Sequence, residues 1–535
     1  MSVRKPNIYK GMYCGDLNES LADTILRIRD TSVVPNLKNM IFDFGPELIM
    51  RSISSGISIR SIIKQEGIDY RNYIGELRDY QTVGLAFMYL SSRSIIGDGV
   101  GLGKTVEIAG LLNYLKMTKQ LGRFLIAVDA SALGQIQYEL MRFTGLLVVA
   151  LPSEANKLKS YLKKINWNNV DGIVIKHSCL KSDFFSRWLA LNIRKDNTCR
   201  IFDTFILDES SIIKNRNTKT FQYSENICNL ARRVHFMNAT TFETSIMDIY
   251  NQIDMMYNTL LPSKSRIQNL YCNYSVSQYW KKVNGVAKQS FSYNLAGYKN
   301  QEDFKQKLRL VYFGRSKKDV GIDIPHVHLV YEVEPSLKQS LALSKGYRYM
   351  EVLNCPSLIP EIDIPTDIEN VPKIERLINL IEHDFKDSRI MVYCFHTEAQ
   401  RVIAEECIKL GRNPVILNGK TKEEEKYVIQ SDFNSGKYDV IITNVKKSLN
   451  LHSADVCIFY SVDTNPSKMF QIAGRIDRNV NTDLKTYVLL IYNHTAEYSF
   501  FMDVVKNRAK DSRDLTIDTK TTVDYFLDYI NGEDE

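Results

Sequence analysis

At 535 residues the chain is too long for one hydrophobic core, and several structural units are expected. Hydrophobic residues at 44% and charged residues at 24% exclude a disordered or fibrous chain, while a formal charge of +7, from 69 Lys and Arg against 62 Asp and Glu, permits a polyanionic partner without requiring one. No apolar run reaches the roughly 20 residues of a membrane span, and MSVRKPNIYKGMY at the N-terminus lacks the apolar core of a secretion signal. The nine cysteines stand singly, without a CxxC pair, so an intracellular, reducing compartment and no membrane partner are expected.

Residues 1–74 have no assignable pattern and are set apart as an N-terminal accessory segment. Over 75–261, and again over 373–500, short apolar runs alternate with helical periodicity, the mark of parallel α/β sheets. The strand candidates are Phe124 to Val128, Gly172 to Ile175 and Thr204 to Leu207 in the first block. In the second they are Ile390 to Phe395, Val440 to Thr443, Val456 to Tyr460 and Tyr487 to Ile491. Their near-continuous apolar character suits strands covered on both faces. Ile374, Leu377, Ile378, Ile381 and Phe385 form one helical stripe. The 262–372 stretch, rich in Tyr, Lys, Gln and Asn, is expected to be a helical insertion and interlobe linker, and 501–535 a C-terminal helical tail.

The first chemical signal in chain order is Ser94-Ile95-Ile96-Gly97-Asp98-Gly99-Val100-Gly101-Leu102-Gly103-Lys104-Thr105, followed by the amphipathic Val106 to Lys116. This reads as strand, phosphate loop, helix. The glycines let the backbone close around phosphates, and the helix N-terminus adds positive potential. Lys104 would neutralise the β and γ phosphates of ATP, and the Thr105 hydroxyl would ligate Mg2+. The strict loop pattern begins with Gly, where Asp98 stands. About a hundred residues on, Thr204-Phe205-Ile206-Leu207-Asp208-Glu209 ends an apolar strand with two carboxylates. Alone, such a pair is most often a solvated turn; after a phosphate loop it divides the labour of phosphoryl transfer. Asp208 would hold Mg2+ through water and Glu209 would orient and deprotonate the attacking water. Near the end of the second block stands Gln471-Ile472-Ala473-Gly474-Arg475-Ile476-Asp477-Arg478. Arg475 and Arg478, three apart and so on one helical face, suit arginine-finger chemistry, although the same pattern also fits a solvated helix.

Together these residues resemble superfamily 2 helicases and translocases, and the smaller signals resemble the Swi/Snf-like branch over about Glu76 to Glu497. Leu77-Arg78-Asp79-Tyr80-Gln81 looks like the LRxYQ adenine-recognition motif, which implies Arg78 and Gln81 at the base. Asp98 to Thr105 is similar to DExGLGKT, which adds Asp98, Gly99, Gly101 and Gly103 to the nucleotide-binding residues. Leu125 to Val128, with Ser131-Ala132-Leu133 and Gln135, resembles motif Ia. Asp208 to Asn215 resembles DEAHxIKN, and Leu308 to Val320, with Arg315, Lys317, Lys318 and Asp319, looks like the LRRxKxDV bridge between lobes. Asn418-Gly419-Lys420-Thr421 resembles DGST; Leu449-Asn450-Leu451 with Ala454-Asp455 resembles GLNLxxAD; Asn465-Pro466 resembles WNP. The chain departs from the branch at Ser210-Ser211, where Ala-His is usual, at Asn238-Ala239-Thr240-Thr241, where the coupling motif loses a hydroxyl and a proline, and at Val445-Lys446-Lys447-Ser448, where a glycine pair is absent.

The resemblance implies two tandem RecA-like lobes that hydrolyse ATP with Mg2+ and move along double-stranded DNA, remodelling DNA or protein–DNA complexes, with Gln471 among the catalytic residues. It also implies tracking of the phosphate backbone of duplex or branched DNA. The expected contacts are Ser131, His177, Lys420, Thr421, Thr443, Lys446 and Lys447. Tyr279-Trp280-Lys281-Lys282 could clamp a strand, but reads first as a helix packing Trp280 inward. A strand-separating DNA or RNA helicase, and a DNA-binding scaffold with little or no ATPase, remain as rival readings. A protein partner is left unidentified, and the abundance of Lys, Asn, Ile and Tyr fits an AT-rich coding source such as a phage.

Overall fold

The computed structural model describes residues 77–531 except 196–201, 239–245, 258–259, 284–285, 310, 316, 323–324, 446–448, 464–465, 478–483 and 503–521. The expected N-terminal accessory segment lies outside the described residues. The chain divides into two compact units, the first ending at Arg315.

In the first unit, β1 (Arg93–Ile96), β2 (Phe124–Val128), β3 (Val148–Ala150), β4 (Gly172–Lys176), β5 (Thr204–Leu207) and β6 (Arg233–Met237) are short runs. After β7 (Cys272–Val283) and β8 (Val286–Tyr298), which pair only with each other, β9 (Tyr312–Phe313) returns to the main sheet. The sheet order is β3-β4-β2-β5-β6-β1-β9, and every neighbouring pair is parallel. β1, β2, β5 and β6 are buried along their whole length, as strands with helices on both faces must be. Because all strands run the same way, their carboxyl ends share one edge. The loops after β1, β4, β5, β6 and β9 therefore open at that edge, where α/β sheets bind ligands.

The second unit repeats the plan with β10 (His326–Val333), β11 (Ile390–Tyr393), β12 (Pro414–Leu417), β13 (Val440–Thr443), β14 (Val456–Phe459) and β15 (Lys485–Tyr492), in the order β10-β15-β14-β11-β13-β12 and again all parallel. The helix Pro372–Asn379 runs into a wider turn over Leu380–Asp384 and buries the stripe Ile374, Leu377, Ile378, Ile381 and Phe385. The helix Thr522–Asn531, in the region expected to be a helical tail, buries Phe526 and stacks Tyr525 on His328 with ring centroids 4.6 Å apart. The two tandem α/β lobes expected from the sequence are thus present. The seven cysteines among the described residues are buried and free.

The helical insertion expected over 262–372 is corrected in part. Helices Lys264–Tyr271 and Gln301–Arg309 are present, but between them lies the long antiparallel hairpin β7–β8, and β9 and β10 belong to the two sheets. Tyr279 to Lys282 accordingly lie in a strand, not a helix.

Candidate nucleotide site

β1 ends at Ile96, and seven residues later the helix Lys104–Met117 begins. Gly103 caps that helix in the left-handed region, φ 87°, and a Cβ there would stand 2.4 Å from the Gln81 amide nitrogen, so only glycine fits. Gln81 is buried, and its Oε1 accepts the Arg78 amide at 3.0 Å. The sequence-predicted base-binding pair is thus joined, with Gln81 packed on the last glycine of the phosphate loop. Lys104 Nζ donates to the Asp98 carbonyl at 2.7 Å, and Thr105 follows in the first helical turn. Gly99 and Gly101 lie in the same loop, Gly101 also at positive φ.

Asp98, expected among the nucleotide-binding residues, uses its carboxylate otherwise. Its Oδ1 accepts the Arg315 backbone amide at 3.1 Å and Nε at 3.2 Å, and its Oδ2 pairs with the same guanidinium. Arg315 also donates to Glu107 Oε1 at 2.7 Å and to the Tyr80 carbonyl, and lies over the rings of Phe313 and Tyr80 at 4.5 and 5.3 Å. Both carboxylates are buried, and one cation serves two anions. Burial, then the neighbouring Asp98 charge, hold the Glu107 carboxyl well above the usual carboxylate range, against the pull of Arg315. Only the Asp98 carbonyl faces Lys104, so the carboxylate is a brace for the loop rather than a phosphate contact. Gly84 leaves room for this cluster: a Cβ there would meet Glu107 and Arg315 within 3 Å.

The acidic pair follows β5. The Asp208 amide donates to the Ala127 carbonyl at 2.9 Å, extending the β2–β5 ladder, after which Glu209 turns into the left-handed region at φ 50°. A non-glycine residue held there costs on the order of 1 kcal/mol or more, and such strain clusters at functional sites. His177, expected at DNA, follows β4 and donates Nε2 to the Asp208 carbonyl at 2.9 Å; it steadies the turn that presents the carboxylates. Ser210, at the Ala-His departure, is buried and hydrogen-bonds Gln252 at 2.7 Å. Asn238 is buried, while Ala239, Thr240 and Thr241 lie outside the described residues. Ser131 lies in a short 3-10 turn after β2.

In the second unit Gln471 sits on the helix Pro466–Ala473 and is buried. That helix ends before Arg475: the Gly474 amide still reaches back four residues to Phe470, but Arg475 and Ile476 reach back only three, so the chain tightens out of the α-helix. The expectation of two arginines on one helical face is corrected for Arg475, and Arg478 lies outside the described residues. Arg475 is largely buried, with Nη1 donating to the Leu449 carbonyl at 3.3 Å and its own carbonyl accepting from Leu451. The neighbouring Asp477 is pinned by Lys317, whose Nζ reaches the Asp477 carbonyl at 2.6 Å.

Of the other residues expected at DNA, Thr443 is fully buried and its hydroxyl accepts the Val445 amide at 3.0 Å, so it has no surface to offer a phosphate. Asn418 closes a turn over Thr421 and leaves Lys420 exposed, whereas Lys446 and Lys447 lie outside the described residues. The sequence reading missed Glu107 altogether and gave Arg315 no partner. Its one usable signal was a charged residue, Glu107, one turn into an otherwise apolar helix.

Comparison with known proteins bears on this arrangement. The SNF2-related domain matches residues 80–339 and the helicase conserved C-terminal domain matches 372–480. A SWI/SNF-related matrix-associated actin-dependent regulator of chromatin subfamily A-like protein 1 of Xenopus laevis is 21% identical over 506 residues, covering 90% of this chain and 48% of that protein. Helicase SWR1 of Saccharomyces cerevisiae is 24% identical over 339 residues, 58% of this chain and 22% of that protein. The chain therefore spans about half the length, or less, of these relatives. Among solved structures, the Sulfolobus solfataricus SWI2/SNF2 ATPase core in complex with dsDNA aligns over 87% of this chain and 97% of that one, at 18% identity and a TM-score of 0.39. With both domains matched in order, the chain belongs to the Swi/Snf-like branch of the superfamily 2 ATPases.

Proposed function

We propose that the chain hydrolyses ATP and uses the cycle to translocate along double-stranded DNA, remodelling DNA or protein–DNA complexes. The observation that carries the reading is the gathering of Lys104, Thr105, Asp208 and Glu209 at the carboxyl edge of one parallel sheet, in a chain of this family. Lys104 would exchange the Asp98 carbonyl for the β and γ phosphates. Thr105 and Asp208 offer a hydroxyl and a carboxylate, hard oxygen donors suited to Mg2+, and the ion would neutralise charge on the phosphates. Glu209 would orient and deprotonate the attacking water. Gln471, Arg475 and Arg478 would support the transferring phosphoryl, a role for which the planar guanidinium is suited.

The test is ATP turnover with and without duplex DNA, alongside displacement of a third strand from a triplex and of one strand from a duplex. Duplex-stimulated turnover with triplex displacement alone is expected. Duplex separation would favour the strand-separating helicase instead, and DNA binding without turnover would reduce the chain to a scaffold.

A further inference from the structure

We infer that the β7–β8 hairpin is an arm that lies on the phosphate backbone of duplex DNA. The inference deepens the DNA-binding reading above and rests on it.

The two strands hold 12 and 13 residues, which at about 3.3 Å each make a ribbon roughly 40 Å long. They belong to neither main sheet and pair only with each other. A two-stranded ribbon is marginal without a covering partner, and this one leaves Tyr274, Val276 and Phe291 exposed. Its composition identifies what covers it. Residues 255–301 contain six Lys or Arg and no Asp or Glu, and so supply six of the chain's seven formal positive charges; the rest of the chain is all but neutral. The register sets Lys281 directly opposite Lys288, with Lys282 next along β7. Like charges placed opposite each other destabilise a ladder, and an anion along the ribbon reverses that cost. The ribbon's other polar residues are uncharged Ser, Gln, Asn and Tyr, the types that supplement Lys at phosphate oxygens. A protein partner would instead call for a contiguous apolar centre, and the exposed apolar side chains here are interspersed with Ser275, Gln278 and Gln289, which are exposed as well. A two-stranded ribbon also fits the major groove of B-form DNA.

The experiment measures duplex affinity against salt for the full chain, for a K281Q/K282Q/K288Q variant, and for a control with three exposed lysines of the helix Ala155–Lys164 changed, K159Q/K163Q/K164Q. Three lost phosphate contacts should flatten the log–log slope by about 2.7, so that a fourfold rise in salt costs the hairpin variant about 40-fold less affinity than it costs the wild type. The control should keep the wild-type slope, and both variants should keep the wild-type melting temperature and the ATP turnover measured without DNA. A second variant, with residues 277–292 replaced by Asn-Gly between the paired Val276 and Tyr293, should match the triple variant. An unchanged slope in the triple variant, or an equal change in the control, overturns the arm while leaving DNA binding intact. A wild-type chain that binds no duplex overturns both readings.

Discussion

Each lobe buries a cation, and the two burials differ in kind. In the first lobe Arg315 faces two buried carboxylates, Asp98 and Glu107, directly under the phosphate loop. In the second, Lys373 faces one, Glu497, at 2.8 Å, and also donates to the Tyr460 carbonyl and the Asn354 amide oxygen at 3.2 Å while lying 4.7 Å from the Tyr492 ring. Burial disfavours charge in both, pushing Glu107 up and Lys373 down. The second cluster is balanced and joins the helices Pro372–Asn379 and Ala496–Phe500 to the end of β14, which is the work of a structural staple. The first is one positive charge short, and its Asp98 is the residue whose carbonyl holds Lys104. Imbalance stands where chemistry is done, and balance where the lobe is held together.

The sharpest way to separate the two is to remove chemistry without touching either cluster. Lys104→Ala or Glu209→Gln should lower DNA-stimulated ATP turnover by about a hundredfold or more, the scale on which positioned charges and bases act, with an unchanged melt. Wild-type turnover in a folded variant would remove the assigned site. Arg475→Ala combined with Arg478→Ala should lower turnover by about 10³ with little loss of ATP affinity, because a finger acts on the transition state. Lys replacements should rescue poorly, lacking the planar fork. Since Arg475 also holds the Leu449 carbonyl, the Arg478→Ala single variant separates the finger role from local packing.

Next in size is the staple itself. Glu497→Ala strands the Lys373 ammonium in the core and also removes acceptors used by the Tyr492 amide and Asn354. A buried pair broken on one side costs about 3–5 kcal/mol, read as a lower denaturation midpoint. A shift below about 1 kcal/mol would mean that the cluster is not structural.

What the sequence made legible follows from what each residue faces. β2, β5 and β13 stand where they were expected because both faces of a parallel sheet are covered and the runs are continuously apolar. β6 escaped because the buried Arg233 and His235 interrupt its apolar run, and β12 because Pro414 opens it. The hairpin escaped because it belongs to no sheet with a buried face to impose alternation; Asn284-Gly285 between two Tyr-rich runs was its available signal. The motif residues Lys104, Thr105, Asp208 and Glu209 were readable because their chemistry is local. Arg315 was readable as a motif but not as the partner of Asp98, since 217 residues separate the two. His177 shows the same limit, its spacing from Asp208 carrying no trace of the hydrogen bond between them. A His177→Phe variant tests that bond. Loss of one hydrogen bond of about 1 kcal/mol should lower turnover roughly fivefold and leave duplex affinity unchanged; the reverse pattern would return His177 to the DNA surface.

The smallest expected effect bears most directly on the imbalance under the phosphate loop. Glu107 Oε1 accepts from Arg315, while Oε2 is buried with no hydrogen-bond partner among the described residues. Its folded-state pKa is raised above the unfolded value, so its contribution to stability is fully present below about pH 4.5 and is lost as pH rises through the folded-state value. Glu107→Gln keeps an oxygen for Arg315 and removes the titration. The melting temperature of the variant minus that of the wild type should therefore increase from pH 5 upward and level off once the wild-type carboxyl is ionised. Other titrating groups bend both curves alike and cancel in the difference. The matching change in the second lobe, Glu497→Gln, should lower the melting temperature throughout this range, because there the anion balances a cation and the amide does not. If the Glu107 difference is flat with pH, or falls, Arg315 neutralises both carboxylates fully and the contrast between the two lobes is one of position alone.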